Sequence, residues 1–309
     1  MVVIDVHIHP IKGLVNPDQI LVEMDKANVK MAVLLAMELQ PALLEDKRFR
    51  RDLDKQLSYT PIFNLDELVE GMRFILENGN TSNNFVAETV SRHKDRFVGF
   101  ASVHPGYAST KHIRRKLNEV RVLKEEQGFR GIKVLPTLQF FDPRTSKTLD
   151  QVFRFAQEQE MVINYHTGCD PGPWELPLLS QTGNPLLLDK ILAKYPQTKV
   201  NIAHLGAYSA RNPGLWFREA ISMFKKHKNT YGDVSAVPYL LTQEKSVRAI
   251  READPHLERV LYGSDFPVTS SGVVEGMAAP IKMIEHSPFL TDEEKERVFH
   301  QNASELLGL

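Results

Sequence analysis

Short apolar segments rich in β-branched residues recur along this chain and alternate with segments that have the hydrophobic period of a helix. Helix starts are indicated where Asn16 precedes Pro17 and where Thr291 lies three residues before Glu294. Eight strands that alternate with helices predict an α/β fold with a parallel sheet, closed as a (β/α)8 barrel, with an open doubly wound sheet as the alternative. The eight apolar segments are Val2–Ile8, Met31–Ala36, Phe97–Val103, Gly131–Leu135, Met161–Tyr165, Lys199–Ala203, Thr230–Val234 and Val260–Tyr262.

The connection between the second and third predicted strands is unusually long, from residue 38 to residue 96. It contains a charged stretch, Glu45–Lys55, and two predicted helices at residues 65–78 and 82–94. Connections of this length inside a compact domain are typical of functional insertions. We therefore predict a single domain over residues 1–309, with a helical insertion at about residues 38–96 that caps the barrel mouth.

Composition narrows the class of protein. The 38 basic and 39 acidic residues leave a net charge of −1, which gives no electrostatic reason to expect nucleic acid or a membrane surface as a partner. No apolar run approaches the length of a membrane span, and the N-terminus lacks the pattern of a signal peptide. The single cysteine, Cys169, excludes an internal disulfide. These features predict a cytoplasmic protein that acts on a small molecule.

Candidate chemistry begins on the first predicted strand, where His7 and His9 are two residues apart. Side chains alternate along a strand, so both imidazoles point to the same face, about 7 Å apart along the backbone. Two imidazoles at the end of a buried strand form half of a metal site, although two solvated histidines would have the same spacing.

Further polar residues follow the other predicted strands, and a barrel brings all of its carboxyl strand ends to one face. A single histidine at such a position more often bonds a carbonyl group, and Asp265 could simply cap a turn. The combination favours a metal site, because imidazoles together with a carboxylate suit Zn²⁺, with Mn²⁺, Fe²⁺ or Co²⁺ as alternatives. The residues are His104 after the third strand, Lys133 in the fourth, and His166, His204 and Asp265 at the ends of the fifth, sixth and eighth.

The order of these motifs resembles the amidohydrolase superfamily of metal-dependent barrels, over essentially the whole chain. The branch it resembles most includes aminocarboxymuconate-semialdehyde decarboxylase and γ-resorcylate decarboxylase. The resemblance implies one divalent metal bound by His7, His9, His166 and Asp265, with His204 and Asp265 as the catalytic residues. The motifs are Ile4–His9, Gly131-Ile132-Lys133, His166-Thr167-Gly168, His204-Leu205-Gly206 and Gly263–Pro267.

The number of metals, the substrate contacts and the oligomeric state stay open at this stage. Carbamylation of Lys133 would bridge two metals, as in binuclear relatives, and His204 would then be a ligand; we favour a single metal, with Lys133 holding an anionic group of the substrate. His104 and Arg211 are further candidates for substrate contacts. The resemblance also allows a homodimer.

The superfamily resemblance does not fix the reaction. We expect a hydrolase that uses a metal-activated water on an amide, ester or lactone of a small organic acid. The alternative is a non-oxidative decarboxylase of an aromatic or unsaturated carboxylic acid.

Overall fold

The predicted alternation of strands and helices is confirmed by the computed structural model, which describes residues 1–11, 13–58, 64–106, 109–268 and 276–309. Eight strands form one sheet in which neighbours along the chain pair in parallel, in the order β1 to β8. The strands are β1 Val3–Ile8, β2 Val29–Leu35, β3 Phe97–Ser102, β4 Gly131–Val134, β5 Val162–His166, β6 Val200–Ala203, β7 Thr230–Asp233 and β8 Val260–Leu261.

The last strand returns to the first. The Val6 N–H donates to the Tyr262 carbonyl at 3.0 Å, and the His9 N–H donates to the Phe266 carbonyl at 2.9 Å. Between them, the Asp265 N–H donates to the His7 carbonyl at 2.9 Å. These bonds join β1 to the segment after β8, so the sheet curls into a barrel and Asp265 lies directly beside the strand that carries His7.

Helices connect the strands, and their starts follow the capping chemistry expected from the sequence. Asn16 and Thr291 each form a capping box, with Gln19 and Glu294 respectively. The helices are α1 Pro17–Ala27, α2 Lys47–Leu57, α3 Leu65–Asn78, α4 Asn83–Arg92, α5 Thr110–Gln127, α6 Lys147–Glu158, α7 Pro177–Ser180, α8 Asp189–Lys194, α9 Phe217–Lys226, α10 Glu244–Ala253, α11 Ala278–Glu285, α12 Asp292–Glu296 and α13 Asn302–Leu307. None of the helices in the described ranges combines the length and apolar character needed to cross a bilayer.

The connection between β2 and β3 contains a 3₁₀ turn at Pro41–Glu45 followed by α2, α3 and α4. Residues 59–63 of this connection lie outside the described residues. The charged stretch forms helix α2, which the hydrophobic pattern did not predict, because Phe49 and Leu53 are the two of its described side chains that pack as an apolar face. Both pack into a second apolar cluster together with Leu68 and Met72 of α3.

This second cluster joins the connection to the loops that follow other strands. Its buried members include Met37 after β2, Leu135 and Leu138 after β4, and Trp174 and Leu176 after β5. These loops all follow the carboxyl ends of strands, so α2 and α3 pack over the end of the barrel where His7, His9 and Asp265 lie. The separate core of the barrel lies between the sheet and its surrounding helices.

We expect the Gly131→Ala variant to lose stability, because strand β4 leaves no room for a side chain at this position. A Cβ there would lie 2.2 Å from the Phe100 ring, which is buried in the core. Overpacking of this kind costs about 1–3 kcal/mol in the free energy of unfolding, measurable by chemical denaturation. Gly71→Ala is the matched control: its Cβ would meet Pro173 at 3.7 Å, an ordinary contact. That helical substitution should stabilise the protein by about 0.5–1 kcal/mol, and an equal response of both variants would contradict the packing argument.

Candidate metal centre

His7, His9 and Asp265 form a compact buried group at the carboxyl end of the barrel. The Nε2 atoms of His7 and His9 are 3.1 Å apart, and Asp265 Oδ1 lies 3.4 Å from the first and 3.5 Å from the second. β1 supplies both imidazoles on one face, and the backbone bond between Asp265 and His7 positions the carboxylate beside them. Three predicted ligands from two separate motifs therefore lie within 3.5 Å of one another.

The spacing and chemistry of this group fit a divalent metal. Nitrogen and oxygen ligands bind Zn²⁺ at about 2.0–2.2 Å, which places neighbouring ligand atoms roughly 3.0–3.6 Å from one another. The three separations in the group fall in that range. Burial lowers the pKa of His7 to about 4 and the pKa of His9 well below its usual value, so both imidazoles are neutral and have a lone pair to offer. These residues could hold a metal ion.

Asp233, at the end of β7, contacts the His7 imidazole and the backbone of His204, and the sequence analysis did not single it out. Its Oδ2 accepts hydrogen bonds from His7 Nδ1 at 3.0 Å and from Asn201 Nδ2 at 2.6 Å. Its Oδ1 accepts from the backbone N–H groups of His204 at 3.0 Å and Ser235 at 3.1 Å, and from the Ser235 hydroxyl. Burial would raise the pKa of this carboxyl, but His7 and these donors hold the pKa well below its usual range.

The contact with Asp233 places the proton of His7 on Nδ1. The Nε2 atom of His7 is then unprotonated and faces His9 and Asp265. A carboxylate behind a metal-binding histidine commonly fixes the imidazole in this way. The only sequence signal for Asp233 was a carboxylate inside an apolar strand, and that signal does not say which side chain it contacts. The contact depends on β1 and β7 being brought together by barrel closure.

The four predicted histidines other than His104 form a continuous series of ring contacts. The centroids of His9 and His7 are 5.0 Å apart, those of His7 and His204 are 4.8 Å apart, and those of His204 and His166 are 4.9 Å apart. His166 Nδ1 lies 3.2 Å from His204 Nε2, and His166 Nε2 lies 3.2 Å from Asp170 Oδ2. The compact ligand groups found among the described residues do not include His166, so its role as a ligand stays a prediction.

His204 has a defined orientation at the end of β6. Its Nδ1 lies 2.9 Å from the Ser235 carbonyl oxygen, which can only accept, so Nδ1 carries the proton and the Nε2 lone pair faces His166 Nδ1. Burial, with the neighbouring His7 and His166, lowers the pKa of His204 well below its usual value. The backbone at His204 and Leu205 has positive φ of 59° and 46°, and such strain is concentrated at functional sites in proteins.

Lys133 lies in the barrel interior beside His7 and not at the solvent-facing mouth. Its Nζ is fully buried, 3.0 Å from His7 Nε2 and 3.1 Å from Asn164 Oδ1. Burial lowers the pKa of Lys133 to about 8, although the nearby carboxylates of Asp265 and Asp233 oppose the shift. A lysine in this position can neutralise the buried carboxylates around the histidines.

A cavity of about 240 Å³ opens onto this group, and none of the three predicted substrate contacts, Lys133, His104 and Arg211, is among its lining residues. His104 is buried beside Gly106, and burial lowers the pKa of its imidazole to about 4. Arg211 points instead to Glu175, with its Nε 3.5 Å from Glu175 Oε2. Their assignment to substrate binding remains a prediction without a contact to the cavity.

Tyr208 is a further residue of the site that the sequence analysis missed. It lines the cavity, its ring stacks on His204 with centroids 4.8 Å apart, and its side chain is 1% exposed. Its buried hydroxyl has no hydrogen-bond partner within the described ranges. Nothing in the sequence around Tyr208 indicated this position, because it follows the sixth strand on an irregular loop.

Comparison with known proteins agrees with this combination of a parallel barrel and a histidine-rich centre. The chain matches the amidohydrolase family over residues 4–309 and belongs to that family. Membership of this family makes the protein an enzyme of the amidohydrolase superfamily. No curated protein shows a significant sequence match to the chain.

Solved structures with the same fold are distant in sequence. An uncharacterised TIM-barrel protein from Bordetella bronchiseptica has a TM-score of 0.66 and 17% identity, covering 100% of this chain and 99% of its own. A 5-carboxyvanillate decarboxylase from Novosphingobium aromaticivorans, complexed with manganese, has a TM-score of 0.61 and 17% identity, covering 94% and 79%. A probable 2-pyrone-4,6-dicarboxylic acid hydrolase from Acinetobacter baumannii has a TM-score of 0.60 and 16% identity, covering 100% of both chains. The resemblance to the decarboxylase-containing branch is confirmed.

Proposed function

We propose that this protein is a metal-dependent hydrolase that acts on an amide, ester or lactone of a small organic acid. The observation that carries the proposal is the orientation of His204, whose Nδ1 proton is held by the Ser235 carbonyl while its unprotonated Nε2 lies beside His166, and both histidines line the cavity. A base in this state can accept a proton from an attacking water. His7, His9, Asp265 and His166 would hold one divalent metal, with Zn²⁺ as the proposed ion and Mn²⁺, Fe²⁺ or Co²⁺ as alternatives.

Each residue has a distinct proposed task. When bound, the metal would polarise the substrate carbonyl and acidify water. His204 accepts a proton of the attacking water at Nε2. When the bond to the leaving group breaks, one proton is returned to that group through Asp265, so that no net proton stays on the protein. The buried cation of Lys133 offsets the negative charge of the carboxylates, and a second metal bridged by carbamylated Lys133 is the alternative.

We expect Tyr208→Phe to lower kcat/KM, because the Tyr208 hydroxyl is the neutral donor best placed to bind an oxygen of the substrate. Loss of a single donor to a developing negative charge typically costs about 10²-fold in rate. Steady-state kinetics with the best substrate would measure the change. Tyr239→Phe is the control, since the Tyr239 hydroxyl donates to the Ala207 carbonyl at 3.4 Å and Tyr239 does not line the cavity. Equal activity of the wild type and the Tyr208 variant would contradict the assignment.

A non-oxidative decarboxylase of an aromatic or unsaturated carboxylic acid is the second candidate. The apolar wall of the cavity suits the body of such an acid, and the polar groups at the metal end suit its carboxylate. The manganese-bound relative acts, by its name, on 5-carboxyvanillate, which supports the same reading.

Metal titration with a substrate panel distinguishes the two reactions. The purified protein is stripped with a chelator, reloaded with Zn²⁺, Mn²⁺ or Co²⁺, and tested with lactones, esters and amides and with aromatic carboxylic acids. We expect activity to disappear on stripping, to return on reloading, and to consist of hydrolysis without release of CO₂. Release of CO₂ from the acids, with no hydrolysis, would replace the first proposal with the second. Absence of any metal-dependent turnover would contradict both.

A further inference from the structure

We propose that the site accepts substrates with a small, uncharged apolar body and rejects those that carry a second carboxylate away from the reacting group. This inference rests on the proposed function for the position of the reacting group, but it concerns the opposite wall of the cavity. It holds for a hydrolase and for a decarboxylase alike.

The polar and apolar parts of the cavity are separated. His9, His166, His204 and Asp265 lie at the metal end. Beyond them the wall is built mainly from apolar side chains supplied by α3 and by the segments after β2, β4 and β8. The principal apolar residues are Met37, Leu39, Ile75, Leu135, Leu138 and Val268.

The wall contains no lysine or arginine within the described ranges. Outside those ranges the sequence has a single basic residue, Lys12. Among the described residues, a carboxylate pressed against this wall would lose its water, would meet no cation, and would find one side-chain hydrogen-bond donor, the Asn78 amide. Burial of an unpaired charge is among the largest penalties in recognition. The wall therefore selects against dianionic substrates by desolvation.

The size of the cavity limits the apolar body. An apolar cavity of about 150 Å³ is sufficient for benzene. The volume of about 240 Å³ in this protein therefore fits one ring together with a reacting group and a small substituent. A body of two fused rings with substituents would extend past the rim.

Phe74 lies at that rim and is the residue through which the selectivity can be changed. It is on α3, lines the cavity and is 66% exposed, so a longer polar side chain there would not disturb the core. A lysine at this position would place a cation where a distal carboxylate leaves the cavity. The insertion between β2 and β3 thus supplies the specificity-determining position.

Binding of two matched probes tests the inference. Benzohydroxamates bring a metal-binding group to the polar end, and the 4-methyl and 4-carboxy derivatives differ only at the distal end. In isothermal titration of the Zn²⁺-loaded protein, we expect the 4-carboxy probe to bind at least about 30-fold more weakly than the 4-methyl probe. Wild-type protein already includes any contribution of Lys12.

Two variants separate a local effect from a general one. Phe74→Lys should strengthen binding of the 4-carboxy probe by up to about 5-fold and weaken binding of the 4-methyl probe. Val122→Lys introduces the same cation on α5, at a residue that is 46% exposed and does not line the cavity, and should leave the ratio unchanged. An equal shift in both variants would overturn the assignment of the wall.

The inference fails if wild-type protein binds both probes equally, prefers the 4-carboxy probe, or binds neither while it holds metal. Metal content, measured on the same samples, reports separately on the proposed function. If the protein takes up no metal, the distal preference is measured with 4-methylphenol and 4-hydroxybenzoate by ligand-observed NMR. Equal binding of that pair would also overturn the inference.

Discussion

Asp265→Asn is expected to reduce kcat/KM by about 10³-fold or more while most of the metal remains bound. The substitution preserves the size of the side chain and one of its oxygens, so His7 and His9 still offer a nearly complete ligand set. An amide cannot take up and release a proton as a carboxyl group does, and general acid–base catalysis contributes about 10²–10⁴-fold. The expected result is therefore a metal-loaded protein that does not turn over.

Metal content by elemental analysis and kcat/KM on the same preparation would provide the measurement. Asp254→Asn is a matched control, since Asp254 is 4% exposed and Asp265 is 3% exposed. Asp254 lies before β8, at the opposite end of the barrel, and accepts the Arg259 backbone N–H at 2.8 Å. This control should keep wild-type activity. Near-normal turnover of the Asp265 variant would refute the proposed proton transfer.

Asp233→Asn is expected to weaken metal binding by about 10–100-fold and to lower the free energy of unfolding by about 3 kcal/mol. Both oxygens of Asp233 accept from more than one donor, so an amide nitrogen would meet donors in either orientation. One of the donors, His7, would also lose the partner that fixes its tautomer. Metal affinity and stability should therefore fall together.

Competition with a chelating dye would give the metal affinity, and urea denaturation of the metal-free protein would give the stability. Asn201→Ala is the graded comparison, because it removes one donor to Asp233 and leaves the carboxylate in place. We expect a smaller loss in both measurements. If the Asp233 variant retained wild-type metal affinity, the carboxylate would have no part in orienting His7.

The fold could be predicted best where the evidence was the hydrophobic pattern within one short segment of the sequence. Alternating apolar segments located all eight strands, and the first strand placed His7 and His9 on one face because the side-chain period of a strand is two. Helix α2 escaped prediction because its few apolar residues pack against other parts of the connection and its charged residues hide the period. A local hydrophobic pattern predicts a helix or a strand when that segment has a clear apolar face of its own.

Sequence reasoning predicted the site residues whose type and position at a strand end indicate metal or proton chemistry, and it did not predict the direction of side chains on loops. His7, His9, His204 and Asp265 are brought together as expected for strand ends of a closed barrel, because closure sends every carboxyl end to one face. His104 also follows a strand, yet its ring is buried beside Gly106, since the direction of a side chain after a strand depends on the loop. The contact of Arg211 with Glu175 depends equally on two loops that are distant in the sequence.

The sequence by itself determined the barrel and the histidine pair, because both depend on residue types at short or regular spacing, and the order of its motifs along the chain carried the resemblance to the family. Only the tertiary structure decided that Asp233 holds His7, that Tyr208 stacks on His204, and that the wall facing them lacks a cation within the described ranges. These are properties of side chains contributed by separate strands and loops. They exist only after barrel closure and the packing of α3 bring those side chains into contact.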